Sequence, residues 1–135
     1  MNRLEQIKHP ISTEFEVFKQ KFDASLQSSN PLLSEVIRFI KQRNGKMMRP
    51  MLTLLMAKLC GEIVDSTYYA AISLELLHTA SLVHDDVVDE SDKRRGQSSV
   101  NAVYDNKVSV LVGDYLLATS LTNAALTGDI RLVEW

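Results

Sequence analysis

SLVHDDVVDESDKRRG, residues 81–96, sets five carboxylates beside three cationic side chains at the end of an apolar run. On a helix turning ~100° per residue, His78, Asp85 and Asp89 fall within about 40° of one another. Asp92 lies near the same line if the helix reaches it, whereas Asp86 sits about 100° from Asp85 and cannot fully share that face. Leu76, Val83 and Val87 take the flank or far side, where they can pack into a bundle. Two carboxylates one turn apart offer hard oxygens to a divalent cation. With no thiolate in the set, the fitting ion is Mg²⁺, which keeps waters and is completed by phosphate oxygens. His78 lies two turns behind Asp85, too far to share that ion, and is placed to donate a hydrogen bond to a second anion. The bland alternative is a solvated helix end. Against it, acids at a helix C-terminus oppose the macrodipole, and five of them repel one another unless cations intervene.

Cationic side chains follow at once in Lys93, Arg94 and Arg95, and a guanidinium fork binds phosphate oxygens directionally. The competing reading is a surface salt-bridge cluster with Glu90 and Asp92, a kind of pair that contributes only about 0–1 kcal/mol. GKMMRP, residues 45–50, is a second basic stretch. Gly45 permits a sharp loop and Pro50 is accepted in a helix's first turn. Lys46 and Arg49 would stand where free backbone N–H groups favour an anion, although an ordinary polar helix start has the same composition. Taken together, the residues suggest two anion sites, one with metal and one without, which suits the joining of two diphosphate esters.

Helices must carry these groups. Phe15, Phe18, Phe22 and Leu26 mark one face of a first helix from Ile11, with Ser12 or Thr13 as its cap. SSNP at 28–31 interrupts the pattern, and Leu33, Val36, Ile37 and Ile40 resume it. MLTLLMAKLCG, 51–61, reads as a short apolar helix ended by Gly61. A long helix from Tyr68 to about Glu90, capped by Asp65 or Ser66, carries the acids. KRRGQSSVN, 93–101, is loop-like by composition. Residues 108–126 read as another buried helix, though Val108, Val110 and Val112 also permit a strand. Gly128 closes that run and Asp129 resembles the N-cap of something new.

The chain has 135 residues, 45% of them hydrophobic and 24% charged, with net charge −2. These values fit one soluble globular unit. Scarce glycine and proline suit a helical chain, read as a single all-α unit over residues 1–135. Several helices look apolar on more than one side, as in part of a larger bundle. No broad basic excess exists to engage nucleic acid. The N-terminus lacks a signal-peptide core, and no window approaches the ~20 apolar residues of a transmembrane span. The single cysteine, Cys60, reads as a small core residue in a cytoplasmic protein.

GKMMRP, ELLHTASLVHDDVVDESDKRRG (75–96) and VLVGDYLLA (110–118), in that order, resemble the trans-type polyprenyl diphosphate synthases. The resemblance implies an all-α bundle of the isoprenoid synthase type, of which these residues would be the N-terminal part. It implies that Lys46, Arg49 and His78 hold isopentenyl diphosphate. Asp85 and Asp89 would ligate Mg²⁺ bridging an allylic prenyl diphosphate, with Asp86 supporting, while Arg94 contacts the allylic diphosphate and Arg95 the isopentenyl diphosphate. In this family, side chains just upstream of the first aspartate limit product length. Ala80 and Ser81, both small, imply a long, octaprenyl-like product. A homodimer is expected. After Asp92 the acids Asp105, Asp114, Asp129 and Glu134 are isolated, so the family's second aspartate-rich motif is not among these residues. The 135 residues alone are therefore expected to be inactive. A non-catalytic subunit of a heteromeric synthase, a plain helical interaction module and a terpene cyclase are the alternatives.

Overall fold

Phenylalanines at every third or fourth position need a partner surface, and the long helix supplies it. A computed structural model describes residues 3–42, 47–94 and 97–129, the side chains of Leu4, Arg94 and Gln97 excepted. Helix α1 (Arg3–Lys8) passes through a 3-10 turn (His9–Ile11) into α2 (Ser12–Ser25). No Ser12 or Thr13 side chain caps α2, contrary to expectation; its N-cap is Ile11. The chain is already helical there, and the Ser12 N–H is taken by the His9 carbonyl. Phe15, Phe18 and Phe22 stack along α2 at centroid separations of 6.0 and 5.6 Å and are all buried. Complete burial of one such side chain contributes about 1.5–3 kcal/mol.

Helix α3 (Pro31–Gln42) starts on a proline, with Asn30 Oδ1 accepting the Leu33 N–H at 3.1 Å. Helix α4 (Met48–Cys60) buries Pro50, Met51 and Leu54 and stops before Gly61. Cys60 is exposed rather than in the core, because nine residues past Met51 it falls about 180° around the helix from that buried residue. Helix α5 (Asp65–Val88) starts earlier than Tyr68. Its N-cap is Val64, not Asp65 or Ser66, and Thr67 Oγ1 reaches back to accept the Val64 N–H at 3.2 Å.

Past α5 the expected loop is a small antiparallel ribbon, β1 (Lys93–Arg94) against β2 (Gln97–Ser98), followed by the short α6 (Val100–Val103). Helix α7 (Asn106–Leu126) replaces the strand option. In a strand Val108, Val110 and Val112 would share a face; here only Val112 is buried and Val110 is exposed. Asp105 caps α7 by accepting the Val108 N–H at 2.8 Å.

The α5–α7 pair is the most extensive helix contact among the described residues. Three polar rungs fix its register. Ser66 Oγ donates to the Thr127 carbonyl at 3.2 Å, Ser120 Oγ to the Ser73 carbonyl at 2.7 Å, and His84 Nε2 lies 3.3 Å from the Val110 carbonyl. As positions rise along α5 they fall along α7, so the two helices are antiparallel. Buried Ser109, Gly113 and Ser120 line the seam, and their small side chains let the backbones approach. The acidic end of α5 consequently lies beside the N-terminal turns of α7.

Candidate functional site

Helix α5 ends in a tight turn directly behind its acids. Glu90 has φ 55°, in the left-handed region. Its N–H bonds the Val87 carbonyl at 3.2 Å, and the Ser91 N–H bonds the Asp86 carbonyl at 2.9 Å. This pair of bonds is a Schellman terminus, with glutamate where glycine is usual. Asp85 and Asp89 stand one turn apart, joined by the Asp89 N–H to Asp85 carbonyl bond of 2.8 Å, and both are exposed. Asp86 is 4% exposed and turned inward. Asp92 lies beyond the helix. The expected register thus holds for Asp85 and Asp89 but does not extend to Asp92.

The ribbon is tied back onto this helix end. The Ser91 carbonyl accepts both Ser99 Oγ at 2.8 Å and Asn101 Nδ2 at 3.0 Å, and the Asp92 carbonyl accepts the Ser99 N–H at 2.9 Å. The segment bearing Lys93 and Arg94 is thereby closed into a loop on the acidic end of α5. Among the described residues no cation comes within salt-bridge distance of Asp85, Asp89, Glu90 or Asp92. The salt-bridge cluster weighed for Glu90 and Asp92 is therefore not formed by described residues.

His84, next to Asp85, points into the seam. Its Nε2 is 3.3 Å from both the Val110 carbonyl and Asp114 Oδ1. Both partners are acceptors, so that nitrogen carries a hydrogen. Gly113 makes the room, since a Cβ there would overlap the imidazole. Sequence reasoning gave no contact to His84, Gly113 or Asp114, although VLVGDYLLA holds a glycine inside a helical pattern, the signal of a close approach.

The remaining site residues are distributed as follows. His78 is half-buried two turns before Asp85, on the same strip of α5. Arg49 is exposed in the first turn of α4, where the N–H groups of Met48 and Arg49 precede Pro50. No described contact joins Arg49 to the acidic end of α5. Ala80 is 2% exposed and Ser81 exposed. Lys46 and Arg95 lie outside the described residues, as does the side chain of Arg94. An open cleft lined by Leu26, Ile37, Arg38 and Lys41 lies between α2 and α3 and includes none of these groups.

The donors fit Mg²⁺ as half of a site. Among the described residues no three potential ligands converge. Two exposed carboxylates one turn apart nonetheless supply the one or two protein ligands this ion takes when phosphate and water complete its shell.

The Polyprenyl synthetase family model matches residues 30–135. The chain belongs to this family. Octaprenyl diphosphate synthase of Haemophilus influenzae is 35% identical over 131 residues, covering 97% of this chain and 40% of the relative. The polyprenyl synthase of Caulobacter crescentus, solved complexed with calcium and isoprenyl diphosphate, superimposes with a TM-score of 0.88 at 28% identity. That match covers 96% of this chain and 40% of the other. A geranylgeranyl pyrophosphate synthase from Bacteroides thetaiotaomicron shares 50% identity with a TM-score of 0.73, over 97% of this chain and 37% of the other. The polyprenyl synthetase segment described here thus spans about a third to two-fifths of the length of the curated relatives it matches. The all-α fold of these isoprenoid synthases is the fold of this chain. No helix of the described residues is long and apolar enough to cross a membrane.

Proposed function

We propose that these residues form the first aspartate wall of a Mg²⁺-dependent prenyltransferase that elongates an allylic prenyl diphosphate with isopentenyl diphosphate. The observation that carries this reading is the exposed Asp85–Asp89 edge, with His78 behind it and the Arg94 ribbon tied to its end. The family membership and the diphosphate named for the Caulobacter relative agree with it. When bound, Mg²⁺ would supply positive charge to the departing diphosphate.

The chain's own groups do the rest. Asp85 and Asp89 hold the ion through hard oxygens, and Asp86 supports their helix from inside. Arg94 seats the allylic diphosphate and Arg95 the isopentenyl diphosphate, whose other contacts are Lys46, Arg49 and His78. Holding both esters in one orientation makes the coupling effectively unimolecular. The allylic C–O bond breaks with its electrons leaving on diphosphate, the isopentenyl double bond attacks the allylic carbon, and a proton is lost to restore an alkene. The opposite acidic wall comes from residues outside these 135, so this segment alone does not turn over. The small Ala80 and Ser81 favour a long, octaprenyl-like product. The complete enzyme is a cytoplasmic homodimer.

Product analysis with Mg²⁺, an allylic diphosphate and isopentenyl diphosphate tests this reading. A complete protein carrying this segment should give long all-trans chains, and failure to elongate would refute the enzyme assignment. A clean stop at farnesyl length would refute the long-chain part. Substantial elongation by the 135 residues alone would refute the division of the site.

A further inference from the structure

We propose that Ser99 and Asn101 are positioning residues, which fix the β1–β2 ribbon bearing Lys93 and Arg94 against the aspartate end of α5. Its functional consequence rests on the reading above.

The ribbon has two residues per strand, Lys93 opposite Ser98 and Arg94 opposite Gln97, too few to be stable in water by themselves. Its order has to come from outside. Ser99 is the N-cap of α6, where a serine hydroxyl normally accepts an N–H of its own helix. Here no side-chain cap bond forms. Instead Ser99 Oγ donates to the Ser91 carbonyl at 2.8 Å, and the residue is 3% exposed. Asn101 Nδ2 donates to that same carbonyl at 3.0 Å, so both of its lone pairs are engaged. The Ser99 N–H takes the neighbouring Asp92 carbonyl at 2.9 Å. Ser91 is itself anchored, through its N–H on Asp86, to the last turn of α5. A continuous chain of hydrogen bonds therefore runs from the aspartate-bearing turn to Ser99, at the base of the ribbon where β2 ends. Asn101 Oδ1 is buried without a partner among the described residues. An unmet acceptor is costly, so the amide is placed there for its donor.

Amide hydrogen exchange and calorimetry with inorganic pyrophosphate and Mg²⁺, both on the 135-residue chain, test the tie. Ser99→Ala and Asn101→Asp, each of which removes a donor, should make the amides of Lys93, Arg94, Gln97 and Ser98 exchange about tenfold faster and weaken pyrophosphate binding about tenfold. Protection across residues 76–83 of α5 should stay unchanged, and Ser99→Thr, which keeps the hydroxyl, should retain wild-type behaviour. Unchanged exchange at these four amides overturns the tie. Loss of protection throughout α5 and α7 overturns it too, because these would then be ordinary fold residues. If wild type fails to bind pyrophosphate while the variants still loosen the ribbon, the diphosphate reading is overturned and the structural tie stands.

Discussion

The imidazole of His84 fills the space that Gly113 leaves by having no side chain. It is a knob from α5 set into α7, one residue before the first exposed aspartate. Gly113→Ala gains roughly 0.8–1 kcal/mol of helix propensity. It also drives the half-exposed ring off its Val110 and Asp114 partners and crowds the seam, and losing those contacts costs more. A net loss of about 1–2 kcal/mol is expected from urea unfolding. In a His84→Ala background the obstacle is gone, and the same change should become stabilising. Equal effects in the two backgrounds would show that the residues are uncoupled.

Glu90 sits in the left-handed region at the end of α5, where a Cβ is strained by about 1 kcal/mol. Glu90→Gly should raise the urea midpoint by the equivalent of about 0.5–1 kcal/mol without changing the slope, and Glu90→Val should lower it. A lower midpoint for the glycine variant would show that the glutamate side chain does more than occupy the turn.

Asp85 and Asp89 lie at a helix end whose last turn carries no basic residue. In Mg²⁺-free buffer, Asp85→Asn and Asp89→Asn should each stabilise the chain by about 0.3–1 kcal/mol, since a carboxylate there opposes the helix dipole. Thermal melts with a chelator present check this. Destabilisation would place these carboxylates in the structural framework rather than in a ligand site.

Tyr68 is held above the usual tyrosine pKa of 10.0 by burial, then by the charges of Glu14 and Asp65. The unfolded chain therefore loses this proton first. The contribution to stability is complete below pH 10.0 and falls as pH rises from there toward the folded value. Tyr68→Phe should flatten this alkaline decline in pH-dependent melts. An unchanged decline would assign it to other groups.

The sequence disclosed what local periodicity controls. Apolar spacing marks α2 and α3, an uninterrupted run marks α5 and overall apolarity marks α7. Helical arithmetic puts Asp85 and Asp89 on one face, because nothing in α5 interrupts the helix between them. It did less well where tertiary contacts decide. The ribbon at 93–98 read as a loop because its strands are too short to leave a pattern and are held by Ser99 and Asn101 from beyond it. Residue preference points to Ser12 or Thr13 and to Asp65 or Ser66 as caps. The chain enters α2 already helical, and Val64 takes the cap position at α5. Apolarity alone did not show which side of α4 is covered: Met51 and Leu54 are buried, whereas Leu52, Met56 and Leu59 are exposed. The groups at Lys46 and Arg95 lie outside the described residues, so their roles still rest on the resemblance.

The central claim is that Asp85 and Asp89 present oxygens to a magnesium–diphosphate complex. Titration calorimetry of the 135-residue chain with inorganic pyrophosphate, with and without Mg²⁺, tests it most directly. Binding should appear only with Mg²⁺ and weaken at least tenfold, by roughly 1.4 kcal/mol, in Asp85→Asn and in Asp89→Asn. Binding of equal strength without the metal, or undiminished in both variants, would contradict it.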